Sequence, residues 1–297
     1  MLLLLIVGGL LATSTIFAKA APDFGWAPLG LLQWSLLGAV ILQGLFLVRS
    51  SKPVTGRVSD RGARRAGRWE ILVYMAITGL LFAVPHALAF AAAIHVGAGF
   101  VALCFAFPLV LTYGLSVAFG LDRLHPLRLL GVAFGLLGTV LLAAGARDIS
   151  PTAFLWTLAA LVIPVVISFA NIYRTVKWPA GAKPAVLSAG MMATAFAALV
   201  SFNASTGIPM LPATDMSAAW TMVAAQSAIF SVQYALYFRL QKIAGPVYLS
   251  QIGSVAAMVG LVLAYLAFAE IPTTAQILAA AAAGLGIVFV STVRRAD

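Results

Sequence analysis

The sequence predicts an all-α integral membrane protein, in which ten transmembrane helices form two inverted five-helix repeats around a central cavity. The first observation is composition: 63% of the 297 residues are hydrophobic and only 9% are charged, which soluble domains of this size do not match. The second is a succession of ten apolar runs, and the third is a weak repetition of one half of the chain in the other. Helices satisfy their backbone hydrogen bonds internally in lipid, so no strands are required.

Each apolar run is long enough for a helix to cross a bilayer, which takes about 20 largely apolar residues. The runs lie at roughly 2–21, 27–48, 70–93, 97–119, 126–145, 152–172, 182–203, 217–238, 245–268 and 272–292. The first run also contains Ala18-Lys19-Ala20, the small-residue pattern of a signal-peptide cleavage site, but no basic residue precedes its apolar core. We expect an uncleaved first helix, because its removal would leave nine helices and break the repeat.

The repeat is clearest in Gly97–Leu142, where a short polar corner separates two apolar runs. Moving this stretch along by 148 positions aligns Asp122 with Glu270 at the corner, and Gly138 with Gly286 in the following helix. An acidic corner and a glycine in the second helix are therefore common to both copies. A weak internal repeat in a membrane protein is typical of transporters.

The two copies divide the chain into residues 1–145 and residues 146–297, with five helices each. An odd number of helices starts the second copy on the opposite face of the membrane, so the repeats are inverted. With a cytoplasmic N-terminus, 16 of the 18 Lys and Arg residues lie in inner segments, and only Lys19 and Arg147 fall elsewhere. Cationic residues are enriched in cytoplasmic loops, so both termini are expected in the cytoplasm. Topology and contact with membrane lipids thus explain the net charge of +10, and no nucleic-acid partner is predicted.

The third predicted helix carries a stripe of polar and aromatic side chains. Tyr74, Thr78, Phe82 and His86 recur every four residues and therefore share one face. His86 is the only histidine well inside the hydrocarbon region. It either bonds to a neighbouring helix or contacts a ligand, and the sequence leaves both interpretations open.

The same offset of 148 residues places a matching stripe on the eighth predicted helix. The aligned pairs are Thr78 with Gln226, Phe82 with Phe230, and His86 with Tyr234. A polar and aromatic face is unfavourable against lipid and useful in a cavity. We therefore expect the phenylalanine pair and the His86–Tyr234 pair to approach one central space; two ordinary helix–helix interfaces are the alternative.

Other polar side chains at helical spacing complete the candidate binding residues. They are Ser168 and Asn171 in the sixth predicted helix, and Tyr248 and Gln251 in the ninth. Lys19 lies within a turn of the end of the first helix. It either reaches toward the interface and pairs with Asp23, four residues on, or offers a cation to a carboxylate ligand. Both interpretations stay open.

The ten helices, the inverted duplication and the acid-then-proline corners resemble the EamA family of the drug/metabolite transporter superfamily. Within it, the chain is most similar to the YddG-type exporters of aromatic and other amino acids. The first corner departs from the family pattern: Asp122 stands where Glu is common, and Pro126 follows four residues later instead of two. The resemblance implies that helices one to four and six to nine surround a central cavity, with helices five and ten at the periphery. It also implies that the stripes of helices three, eight and nine face that cavity.

The acidic residues exclude several kinds of chemistry. All eight are expected outside the middle of the membrane, whereas a proton-coupled exporter of lipophilic cations normally needs a buried carboxylate. The single Cys, the three His and the acids also form no pattern of a metal cluster or of a nucleophile with its base. We therefore expect no cofactor, no metal and no enzymatic activity.

These observations predict a membrane transporter, and the resemblance implies that it lies in the bacterial inner membrane and exports small metabolites, in particular aromatic or apolar amino acids. Alternating access, uncoupled or by exchange, is the expected mechanism. Polar side chains would hold the two charges of a zwitterion, and ring faces would contact its ammonium group. His86 is expected to be neutral, so a pH gradient should have little effect. A multidrug exporter of the same fold and a non-transporting scaffold or sensor are the alternatives, and the oligomeric state is not predicted.

Overall fold

The computed structural model describes residues 2–49, 66–144, 151–213 and 216–292, and it is helical almost throughout these ranges. The helices are α1 (Leu2–Ala20), α2 (Pro28–Arg49), α3 (Arg68–Val96), α4 (Ala98–Cys104), α5 (Pro108–Ala118), α6 (Pro126–Ala144), α7 (Pro151–Val176), α8 (Pro184–Thr206), α9 (Met216–Phe268) and α10 (Thr274–Thr292), with a short 3-10 turn at Ala21–Phe24. Most of the basic loop predicted at 49–69, the predicted boundary between residues 145 and 146, and the C-terminal arginines lie outside the described residues.

Proline and glycine mark many of the helix ends. Five of the helices, α2, α5, α6, α7 and α8, begin at a proline, whose fixed φ suits the first helical position and whose missing N–H has no partner there in any case. Gly25 and Gly207 end helices at φ values of 73° and 69°, which glycine adopts without the steric cost of a Cβ. The sequence thus sets where the polar corners fall between the apolar runs.

The fourth predicted helix, 97–119, is two helices in the structure. α4 ends at Cys104 and α5 begins at Pro108, with Phe105–Phe107 in turns between them. Pro108 has no N–H to donate to the preceding turn, so the helix ladder breaks. A second cause is close approach, because a Cβ at Gly253 would overlap the carbonyl oxygen of Phe105 and lie 2.6 Å from its carbonyl carbon.

The eighth and ninth predicted helices form the single helix α9. Its two arms, before and after Pro246, both contact the same short stretch of α1. This shows that the helix folds back on itself. Ser14 bonds to Gln226, while a Cβ at Gly260 would lie 3.8 Å from that of Ala12. A straight helix would separate residues 226 and 260 by about 50 Å. Pro246, inside the helix, accounts for the change of direction.

Helices α6 and α10 pack against each other through their glycines. A Cβ at Gly131 would lie 2.7 Å from the carbonyl oxygen of Gly286, and the reverse distance is also 2.7 Å. A Cβ at Gly138 would lie 3.0 Å from the carbonyl oxygen of Ala279. Under the 148-residue offset, the Gly131–Gly286 contact becomes the Gly138–Ala279 contact. Reciprocal contacts of this kind are what a twofold relation produces, although the inverted repeat itself stays a prediction.

The surface of the helices fits a membrane-embedded protein. Within the described residues, seven helical segments are long and apolar enough to cross a membrane, and the apolar parts of α6 and α10 are shorter. Large apolar side chains are exposed around the bundle, among them Leu45, Phe46, Leu155 and Leu266. A soluble monomer rarely exposes apolar surface on this scale, so contact with lipid is its natural explanation.

Candidate functional site

The centre of the bundle holds the pair His86 and Tyr234. The imidazole Nδ1 lies 2.9 Å from the carbonyl oxygen of Phe82, one turn earlier in α3, and Nε2 lies 2.5 Å from the Tyr234 hydroxyl. A carbonyl can only accept, so we assign the proton to Nδ1, and Nε2 then accepts from the phenol. The two side chains that the 148-residue offset equates therefore meet in one hydrogen bond.

Aromatic rings surround this pair. The Phe82 ring stacks on His86 with centroids 3.9 Å apart, and it meets the Tyr234 ring edge to face at 4.7 Å. Phe230 completes the cluster at 6.3 Å from Phe82 and 6.2 Å from His86. All four side chains are buried. The structure thus brings together the four residues that the repeat predicts to approach one space.

A cavity lies beside the cluster, between α1, α3, the α4–α5 break, α7 and both arms of α9. Its volume is about 50 Å³ in this conformation, and it is partly open to its surroundings. Phe82, His86 and Tyr234 line it, together with Asn171, Arg174 and Gln233. Aromatic walls with a few polar groups are typical of small-molecule sites.

Arg174 is the cation of this cavity, and it is 4% exposed. Its Nη1 donates to the Tyr237 hydroxyl at 3.2 Å, and the guanidinium carbon lies 5.5 Å from the Tyr237 ring centroid and 6.0 Å from that of Phe238. Its Nε is buried without a hydrogen-bond partner. Within the described residues, the salt bridges join other side chains, so no carboxylate neutralises Arg174.

Asn171, one turn before Arg174 in α7, connects three helices. Its Oδ1 accepts from the Tyr237 hydroxyl at 2.6 Å, and its Nδ2 lies 3.5 Å from the Thr112 hydroxyl. Its backbone carbonyl accepts from Gln241 at 3.2 Å. Asn171 therefore lines the cavity with its hydrogen-bonding capacity already directed to neighbouring side chains, which fixes the position of Tyr237.

Three other candidate residues make local or interhelical bonds away from the cavity. Thr78 donates to the Tyr74 carbonyl at 2.7 Å, and Ser168 donates to the Pro164 carbonyl at 2.7 Å, each one turn back in its own helix. Gln226 donates to Ser14 at 2.9 Å. These bonds satisfy polar groups in an apolar interior, so the structure gives the three residues a packing role.

Lys19 contacts neither Asp23 nor the cavity. Its ammonium group pairs with Glu270 and lies 4.6 Å above the Phe268 ring centroid. Glu270 also accepts from the backbone N–H groups of Ala98 and Gly99 at 3.1 and 3.0 Å. The structure therefore pairs Lys19 with Glu270 instead of Asp23, and a role of Lys19 toward a ligand stays a prediction.

The predicted stripe on the second arm of α9 does not join the cavity. Leu249, Ile252 and Gly253 face it instead, and Tyr248 is 37% exposed. Gln251 is also absent from the cavity wall. The reason is the close contact between Gly253 and the α4–α5 break, which sets the rotation of this arm so that its small and aliphatic face points inward.

Tyr74 lies at the opposite end of the α3 stripe from His86 and is buried outside the central cavity. Its hydroxyl is 3.4 Å from the Arg174 carbonyl, and its ring stacks on Tyr173 with centroids 6.0 Å apart. It lines a second, more open pocket, which also contains Trp178, Glu70 and Lys177. Tyr74 therefore supports the helix turn that carries Arg174 and does not reach the cavity.

Sequence reasoning missed Arg174, Gln233 and Tyr237. Arg174 lies two residues past the predicted end of its helix, at 172, whereas α7 continues to Val176. Gln233 and Tyr237 follow Phe230 by three and seven residues, so a complete helical-face count on this arm would have included both. Arg174 had a weaker signal, since nothing in its sequence spacing distinguishes it from the other basic residues.

The described residues contain no group of three or more His, Cys, Asp or Glu side chains that is arranged to hold a metal ion. Cys104 is buried. The cavity wall presents ring faces, the hydrogen-bonded pair His86 and Tyr234, and the guanidinium of Arg174.

Comparison with known proteins shows similarity of fold. No protein-family model and no curated protein sequence matches the chain. A solved structure described only as "Crystal structure of protein" superimposes with a TM-score of 0.64 at 23% identity, over 97% of this chain and 98% of the other. The whole chain therefore shares its fold with that protein, and the description states no activity.

Proposed function

We propose that the protein is a membrane transporter that exports small metabolites, in particular aromatic or apolar amino acids, by alternating access. The observation that carries this proposal is the central cavity. It lies between helices of both halves of the chain, and its wall combines aromatic rings with the buried groups of His86, Asn171 and Arg174. Two buried polar atoms of the wall residues, Arg174 Nε and Gln233 Oε1, have no hydrogen-bond partner. Such atoms are costly unless a ligand or water meets them, so the cavity suits a polar guest.

We further propose that the chain crosses the membrane ten times, as two inverted five-helix repeats, with both termini in the cytoplasm of a bacterial cell. We also propose that it belongs to the EamA family. The reciprocal contacts between α6 and α10, and the central bond between His86 and Tyr234, support the repeat. The bias of basic residues supports the orientation, since 15 of the 18 lie in predicted inner segments when Arg174, which lines the cavity, is left out.

A multidrug exporter of the same fold is the second candidate, but the charge of the cavity disfavours it. Lipophilic cations are the typical cargo of such exporters, and the described part of the cavity wall contains Arg174 and no carboxylate. A cation would meet a like charge in a low-dielectric site. A non-transporting scaffold has no need of a polar central cavity.

Uptake into proteoliposomes tests the proposal. We expect purified protein to carry at least one radiolabelled apolar or aromatic amino acid faster than protein-free liposomes, with saturation. His86→Ala should reduce the rate, whereas Tyr265→Ala, at a 57% exposed position, should not. Flux of ethidium without flux of any amino acid would favour the multidrug function, and absence of any solute flux would favour the scaffold.

A further inference from the structure

The side chain of Arg174 is buried, and no carboxylate of the described residues pairs with it. Guanidinium stays protonated in proteins, and an isolated charge in a low-dielectric interior is strongly unfavourable. The described structure gives it the Tyr237 hydroxyl and two ring faces, while its Nε has no partner. Tyrosine satisfies part of the hydrogen-bonding capacity of arginine and none of its charge.

The cavity is the place from which a counter-charge can arrive. Arg174 lines it, as do Tyr237 and Asn171. The Asn171 Oδ1 holds the Tyr237 hydroxyl at 2.6 Å, and that hydroxyl in turn accepts from Nη1. The guanidinium is therefore oriented by its neighbours, with its Nε left over, which is the preorganised state that favours anion binding.

We propose that Arg174 binds the carboxylate of the transported solute, so that a carboxylate is required for recognition. A planar guanidinium matches a carboxylate with parallel charge-assisted hydrogen bonds. Arg174 is the only Lys or Arg in the described cavity wall. One cation neutralises the single negative charge of a carboxylate but only half the charge of a phosphate dianion, so a carboxylate is the better match. This inference rests on the proposed transport function and assigns the binding of the anion to Arg174.

Other residues of the wall suit the rest of an amino acid. Gln233 is 1% exposed, lines the cavity and has a buried carbonyl oxygen without a partner. That oxygen is available as an acceptor for an ammonium group, and the rings of Phe82 and Tyr234 provide an apolar wall for a side chain. The carboxylate is the essential group in this arrangement, because only it neutralises a buried charge.

Ligand-induced thermal stabilisation of the purified protein in detergent tests the inference with defined probes. The probes are L-phenylalanine, 3-phenylpropionate, 2-phenylethylamine and inorganic phosphate. We expect the two carboxylates to stabilise the wild type in a saturable manner, and the amine and phosphate to have no effect. Arg174→Gln should weaken carboxylate binding by about tenfold or more, as expected for losing a charge-assisted bond. Arg239→Gln, which removes an exposed arginine, should leave it unchanged.

The outcomes separate this inference from the transport function. Stabilisation by the amine or by phosphate equal to that by 3-phenylpropionate, or unchanged carboxylate binding in Arg174→Gln, would overturn the role of Arg174 even if amino acids cross proteoliposomes. Selective carboxylate binding without flux of any solute would support Arg174 as an anion site and refute transport. If Arg174→Gln does not fold, the comparison of the four probes on the wild type still decides the carboxylate requirement.

Discussion

At the scale of single residues, the core of the bundle is organised by matching donors to acceptors away from water. The phenol of Tyr234 donates to His86 Nε2, and His86 Nδ1 donates to a carbonyl of its own helix. Both nitrogens of the ring are thus used by a neutral imidazole. A buried polar group that loses its partner costs more than the bond itself contributes, so the pair is expected to be strongly coupled.

A double-mutant cycle tests this coupling. Tyr234→Phe leaves His86 Nε2 buried without a donor and should lower the free energy of unfolding by about 1–2 kcal/mol. Adding His86→Leu to Tyr234→Phe should cost less than the sum of the two single changes, because both polar groups are then gone. Thermal unfolding in detergent is the measurement, with Tyr265→Phe at an exposed position as the control. Additive effects would show that the bond contributes nothing to stability.

The residues of the site differ in how far the sequence predicts them. The 148-residue offset is sufficient to pair Phe82 with Phe230 and His86 with Tyr234, because a repeat brings equivalent helices together. It does not predict the partner of Lys19, since Glu270 lies 251 residues away and no local spacing links them. The sequence does not predict Arg174 as a site residue, because the apolar run ends at 172 and the basic residue lies beyond it. In the structure, α7 continues to Val176 and includes Arg174.

At the scale of secondary-structure elements, two interruptions of regular helix shape the cavity. The break between α4 and α5 and the fold-back of α9 at Pro246 meet where Gly253 contacts the carbonyl of Phe105. Proline signals both interruptions in the sequence. The contact between them depends on three-dimensional packing, so the apolar runs alone predict one straight helix before Pro126 and two separate helices around Pro246.

Gly253→Ala tests the contact between these elements. The added methyl group would overlap the Phe105 backbone, so the second arm of α9 must move away, at a cost of about 1–3 kcal/mol as in other overpacked cores. We expect a lower unfolding temperature and weaker carboxylate binding. Gly44→Ala provides the matched control, because nothing lies within 4 Å of its added Cβ. Equal behaviour of the two variants would contradict the close approach.

Glu270 joins three elements and supplies the next prediction. It pairs with Lys19 at the end of α1 and accepts from the first N–H groups of α4. Glu270→Gln keeps the size of the side chain and removes its charge, and we expect a loss of about 1 kcal/mol or more from pairing and capping together. Asp23→Asn, at an exposed acid, should be neutral. The idea fails if chemical denaturation shows the same stability for Glu270→Gln and the wild type.

At the scale of the whole molecule, an exporter needs a defined orientation in the membrane. Ser205, near the end of α8, is predicted outside, and Leu124, at the corner before α6, is predicted inside; both are exposed. We expect a membrane-impermeant thiol reagent to label Ser205→Cys in intact cells and Leu124→Cys only after lysis. The native Cys104 is buried and should give little background. Labelling of Leu124→Cys alone in intact cells would reverse the topology.

Trans-stimulation in proteoliposomes tests the central claim most directly, because an alternating-access exchanger carries a solute on both halves of its cycle. We expect an internal load of unlabelled amino acid to accelerate the entry of the labelled amino acid, with an overshoot above equilibrium. An imposed pH gradient should leave the plateau unchanged, because His86 is held as a neutral acceptor and a zwitterion carries no net charge across the membrane. Entry that is indifferent to the internal load, or accumulation driven by the pH gradient and abolished by His86→Gln, would contradict the account.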